Sequence, residues 1–121
     1  MEKEIAEAAE IAPAAQKFLR DHIQSLWQLE LILFMKEKRS ALSAAEIATG
    51  LYSTPRMIES ALSGFAKNGI LKAGENQPKI YAYAPDTVEL TEAIEQASAA
   101  YANRRLAVIN FIFSKEGNGD S

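Results

Sequence analysis

The chain has 121 residues, 48% apolar and 24% charged, enough for one domain with a core of its own. It contains no Cys, which excludes disulfides, thiol catalysis and Cys-ligated zinc or iron–sulfur centres and fits a reducing cytoplasm. The net charge of −3 is uneven: residues 1–12 carry −3, residues 13–52 carry +1, residues 53–83 carry +2 and residues 84–121 carry −3, and a nucleic-acid footprint depends on local surplus rather than on the total.

The acidic start, MEKEIAEAAEIAPAA, lacks the apolar stretch of a signal peptide. No apolar run approaches the ~18–20 residues of a membrane span. Residues 1–12 have helical composition without an apolar stripe and read as a frayed or weakly docked helix. Pro13 interrupts, and residues 14–23 form a short helix with Phe18, Leu19 and Ile23 on one side. Ser25 and Gln28 match a capping box, so the next helix starts at Leu26. From Leu26 to Met35 only Gln28 and Glu30 are polar. A helix apolar nearly all round is buried on more than one side, here against its own domain and against a partner chain. KEKR at residues 36–39 ends it with cations that suit the C-terminal dipole.

A short link, SAL, is able to pair as a strand. Ser43 and Glu46 then form a second capping box, with Leu42 and Ile47 placed as a hydrophobic staple, and Gly50 stands where a helix stop is expected. The following helix has Thr54 as N-cap and Pro55 at its first position, where a missing N–H costs nothing. Ile58, Ala61, Leu62 and Phe65 form its inward face, while Arg56, Glu59, Ser60, Ser63 and Lys67 mostly point away. Asn68 and Gly69 close it. Two β-like runs around ENQP read as a hairpin, and Pro85 ends its second strand. Asp86 or Thr87 caps a long helix reaching Ser114. On it Leu90, Ile94, Ala97, Tyr101, Val108 and Phe111 recur at heptad-like spacing, with Arg104 interrupting. The tail is disordered.

The element order resembles a winged helix-turn-helix domain with a C-terminal dimerisation helix, mainly α with a small β-hairpin wing. The residues that carry the resemblance are Ser43, Ala45, Glu46, Ile47 and Ala48, Leu62 of the third helix, and NGIL before the wing. They are similar to those of bacterial repressors of the multiple-antibiotic-resistance and phenolic-acid-repressor kinds. HIQSLWQLELIL and RRLAVINFIFS also resemble a group of small uncharacterised bacterial proteins. The resemblance divides the chain into an N-terminal helical extension at 1–24, a winged core at 25–85, a dimerisation helix at 86–115 and a tail at 116–121.

It implies a dimeric, cytoplasmic transcriptional regulator that binds double-stranded DNA. Thr54 and Ser60 would meet phosphate or bases, Arg56 would grip a guanine, Lys67 would touch phosphate at the periphery, and Asn76 and Lys79 would approach the backbone from the wing. Against this, Arg56 and Glu59 at i and i+3 suit a solvated ion pair, and Glu59 would repel phosphate. The surplus of +2 is small for a DNA binder. A second reading follows, in which the same fold binds another protein and little or no DNA.

For the dimer, Trp27, Leu31 and Met35 would pack with Tyr101, Val108, Phe111 and Ile112 of either chain. Alternatively, the C-terminal helix covers the first apolar helix within one subunit. Trp27, Tyr101 and Phe111 either line an effector cleft or, as helical spacing favours, pack as core. NRRLAVINFIF is apolar on several faces, which fits burial better than a membrane surface. His22 beside Asp21 lacks the partners of a zinc site or a catalytic triad. Glu30 and Glu46 read as a helix-face residue and a cap. No cofactor, metal site or enzyme activity is expected.

Overall fold

In the computed structural model side-chain caps close the N-termini of two successive helices, at Ser43 and at Thr54. The structure describes residues 11–51 and 53–119, with side chains through Ser114; the weak helix expected at residues 1–12 lies almost wholly outside them. Helix α1 spans Pro13–His22, so Pro13 opens the helix expected at residues 14–23 instead of only preceding it. Helix α2 spans Leu26–Lys38. Its Gln28 Oε1 accepts from the Gln24 N–H at 2.8 Å, one residue before the Ser25 partner expected of a capping box, while the Gln28 N–H donates to the Ser25 carbonyl at 3.1 Å.

Strand β1 is only Leu42–Ser43 and leads directly into α3, Ala44–Leu51. Here the capping box is complete and reciprocal. The Ser43 N–H donates to Glu46 Oε1 at 2.9 Å and the Glu46 N–H donates to Ser43 Oγ at 3.3 Å, satisfying two otherwise orphaned donors. Gly50 does not stop α3, which continues to Leu51. The glycine answers to packing instead: a Cβ there would lie 3.0 Å from Cζ of Phe34.

Helix α4, Pro55–Lys67, has Thr54 as N-cap, its side chain accepting from the Met57 N–H at 3.4 Å. Its C-terminus closes in the two-bond pattern of a Schellman motif. The Ile70 N–H donates to the Phe65 carbonyl at 3.0 Å and the Gly69 N–H to the Ala66 carbonyl at 3.2 Å, and the apolar pair Phe65 and Ile70 is buried. Of the two residues expected to close the helix, only Gly69 takes the left-handed conformation, at φ 82°, whereas Asn68 has φ −89°.

Strands β2, Leu71–Ala73, and β3, Ile80–Tyr83, complete an antiparallel sheet of order β1-β3-β2. Tyr81 of β3 stands opposite Leu42 of β1 and Ala73 of β2. After the sheet the Asp86 N–H donates to the Gly69 carbonyl at 2.8 Å, and the Asp86 side chain reaches Lys72 Nζ at 3.6 Å. Asp86 is therefore committed to the turn, and Thr87 immediately precedes the next helix.

The C-terminal region is two helices rather than one. Helix α5 spans Val88–Asn103 and α6 spans Arg105–Gly119, with Arg104 between them. The Arg104 N–H still donates to the Ala100 carbonyl, and the Arg104 carbonyl accepts from Val108, so the apolar repeat passes through the interruption without recording it. Both α5 and α6 pack against α1. A straight helix of nearly thirty residues would outrun the ten-residue α1 at ~1.5 Å per residue, and the interruption at Arg104 lets both segments meet it. The tail expected from residue 116 instead begins within α6, and residues 120–121 lie outside the described residues.

The described part is mainly helical, with six helices and one small antiparallel sheet. The chain divides into two compact units. One comprises residues 1–29 with 88–121, the other residues 30–87, so this division falls inside α2. In the first unit Ala15, Phe18 and Leu19 of α1 and Ala93, Ile94, Ala97 and Ala100 of α5 are buried; the alanines allow the two helices a close approach. In the second, Ile47, Ile58, Leu62, Ile70, Leu71 and Tyr81 are buried beside Phe65.

Two glycines only five residues apart therefore have opposite prospects. Gly69→Ala meets a left-handed backbone and Asp86 Oδ2 at 2.6 Å from the new Cβ, and is expected to cost about 1–3 kcal/mol. Gly64→Ala, inside α4 with nothing within 4 Å of the new Cβ, is expected to stabilise by about 0.5–1 kcal/mol. Urea unfolding midpoints of the two variants measure both.

Candidate nucleic-acid interface

Helix α4 turns Ile58, Leu62 and Phe65 inward. At 100° per residue the opposite face carries Arg56, Ser60, Ser63 and Lys67, and all four are exposed. Thr54, at the start of the helix, and Asn76 and Lys79, in the turn between β2 and β3, are exposed as well. Every residue expected to meet DNA is thus on the surface of the second unit. Two of the unit's four basic side chains in residues 53–83, Arg56 and Lys67, lie on α4. A third, Lys72, faces Asp86 in an ion pair so exposed that it adds little to stability.

Glu59 departs from the expected pattern. It is half-buried at the edge of α4, and its carboxylate accepts a hydrogen bond from the Tyr81 hydroxyl on β3. Arg56 has no ion-pair partner among the described residues, so the i,i+3 pairing with Glu59 does not form. Burial, then the hydrogen bond to Glu59, then the Glu59 charge push the Tyr81 hydroxyl up to about 12 from its usual 10.0. The tyrosine keeps its proton and donates it toward the carboxylate. The Glu59 carboxylate is thereby turned toward the sheet and away from the face that carries Arg56.

Met57 lies on the other flank of α4, 49% exposed. The apolar period of the helix marks its inward residues and leaves Met57 unremarked; only the orientation of the folded helix brings it to notice. Gly64, one face-repeat further along, leaves that flank bare.

The residues expected to join two chains are distributed differently. Leu31, Met35, Val108 and Ile112 are fully buried in the single chain. Trp27, Tyr101 and Phe111 are half-buried, and the Arg105 guanidinium sits 4.8 Å from the Tyr101 ring centre. The apolar side chains that do reach the surface of α6 are Leu106, 71% exposed, and Phe113, 56% exposed. They are seven residues apart, on one side of the helix. The His22 ring packs 5.5 Å from that of Phe18. Among the described residues no group of three His, Asp or Glu could hold a metal ion, and no helix is long and apolar enough to cross a membrane. No protein-family model, curated protein or solved structure matches the chain.

The Tyr81–Glu59 bond has a pH signature. A tyrosine whose folded-state pKa is raised contributes stability that is whole below its unfolded value of 10.0 and disappears as the pH rises through about 12. Tyr81→Phe, which also leaves a half-buried carboxylate short of a donor, is expected to cost about 1–3 kcal/mol at neutral pH. The difference from wild type should shrink between pH 10 and 12 in denaturant titrations run across that range.

Proposed function

We propose that this chain is a winged-helix DNA-binding protein acting as a homodimeric, cytoplasmic transcriptional regulator. In this reading α3 and α4 are the helix-turn-helix, β2 and β3 the wing, and α4 the helix that enters the major groove. The observation that carries it is the withdrawal of Glu59 by Tyr81. It leaves Arg56, Ser60, Ser63 and Lys67 as a face of hydroxyls and cations without an anion, which suits phosphate contact and guanine recognition. Two cations on one helix neutralise few phosphates, so useful affinity requires two half-sites and hence two chains. Leu106 and Phe113 on α6 supply the apolar surface for that pairing, replacing the buried Leu31, Met35, Val108 and Ile112.

The exposure of Leu106 and Phe113 also favours a second reading. In it the same fold binds a different protein through α6 and leaves DNA alone, as the small positive surplus would suit.

The two readings separate in one titration of the protein against sheared genomic DNA at two salt concentrations, with the bound fragments sequenced. The regulator reading expects a few enriched, two-fold symmetric sites whose affinity falls steeply with salt. Arg56→Ala should then cost about 1–3 kcal/mol at such a site, and Lys67→Ala should lower the salt slope by about one. Feeble, unselective binding would favour the protein-binding reading. For the dimer, replacing Leu106 and Phe113 by Ser should reduce the mass measured by sedimentation from two chains to one; a single-chain mass for the wild type would remove the dimer from the proposal.

A further inference from the structure

We infer that Met57 reads the 5-methyl group of a thymine beside the base gripped by Arg56; the inference rests on the DNA-binding reading of α4. Met57 lies in the first turn of α4, next to Arg56, and its backbone is anchored by donation to the Thr54 side chain at 3.4 Å. Its inward neighbour Ile58 is completely buried, while Met57 is 49% exposed. It is the one large apolar side chain exposed on α4. The residues beyond it on the same flank, Ser60, Ala61 and Gly64, are small, and a Cβ at Gly64 would touch nothing within 4 Å. Nothing bulky therefore keeps this flank from a close surface, and the flexible thioether has room to settle on it.

The chemistry of the groove then selects the contact. The N-terminal residues of a recognition helix face base edges. Those edges are hydrogen-bond donors and acceptors, except at thymine, which presents a methyl group. An apolar side chain held beside the guanine-reading position gains by covering that methyl and loses by covering a polar edge. Arg56 and Met57 together would specify a G·C pair flanked by an A·T pair, a stricter site than one arginine specifies alone.

The test uses the sites enriched from genomic DNA. Each thymine in one such duplex is replaced in turn by uracil, which pairs identically but lacks the methyl. Wild-type protein should lose affinity about three- to fivefold at one position in each half-site, the scale of one buried methyl group, and little elsewhere. Met57→Ala should bind the thymine duplex weaker by a similar factor and be indifferent to uracil at that position, while Met57→Leu should keep the discrimination. Because Met57 is exposed, its variants should unfold at the wild-type midpoint, which separates lost contact from lost fold. Wild-type affinity unchanged by every uracil, or Met57→Ala as sensitive to uracil as wild type, would overturn the assignment while leaving DNA binding intact. If no fragment is enriched at either salt concentration, the DNA reading itself fails, and the role of Met57 fails with it.

Discussion

The second unit is organised around one hydrogen bond, from the Tyr81 hydroxyl to Glu59. Tyr81 stands at the centre of the three-stranded sheet, opposite Leu42 on one neighbour and Ala73 on the other, and its hydroxyl reaches across to α4. One side chain thereby connects three strands and a helix. The bond also decides the electrostatics of α4. A carboxylate left on the outer face would have lowered the potential where Arg56 stands; drawn to the sheet, it is removed from that face and helps hold the helix. Structure and candidate function share the interaction, since what fixes α4 in place also clears its surface.

Around this bond the helix ends are closed by short-range chemistry and the turns by close backbone approach. The reciprocal Ser43–Glu46 pair starts α3, Thr54 and Pro55 start α4, and the left-handed Gly69 ends it. Gly69 has a second duty, because Asp86 lies against it and binds its carbonyl. The helix stop and the exit from the sheet are therefore one junction. Gly50 shows a different case, in which the Phe34 ring rather than the backbone stands close to where a side chain would be, 3.0 Å from a Cβ.

These differences explain what the sequence revealed and what it concealed. The caps at Ser43, Thr54 and Gly69 were legible because their partners lie within a few residues. The inward face of α4 was legible because burial follows the helical period, and the same period correctly set Arg56, Ser60 and Lys67 outward. Glu59 was misread because its partner is 22 positions away. Gly50 is expected to stop α3, but the helix runs on to Leu51, because a glycine's stop position is set only by the turn that follows it. The interruption at Arg104 escaped because a heptad pattern runs through a one-residue break unchanged. Leu31, Met35, Val108 and Ile112 are legible as buried, but periodicity does not say by which chain.

The division of the chain has a consequence for how it is made. Residues 30–87 are continuous, and every contact that defines that unit is available once residue 87 has left the ribosome. The other unit joins residues before 30 to residues after 87, and α1 must wait, its buried face uncovered, for α5 to be synthesised. Elongation at ~5–20 residues per second makes that delay a matter of seconds. During that interval Ala15, Phe18 and Leu19 are apolar surface exposed to whatever the cell offers in place of α5.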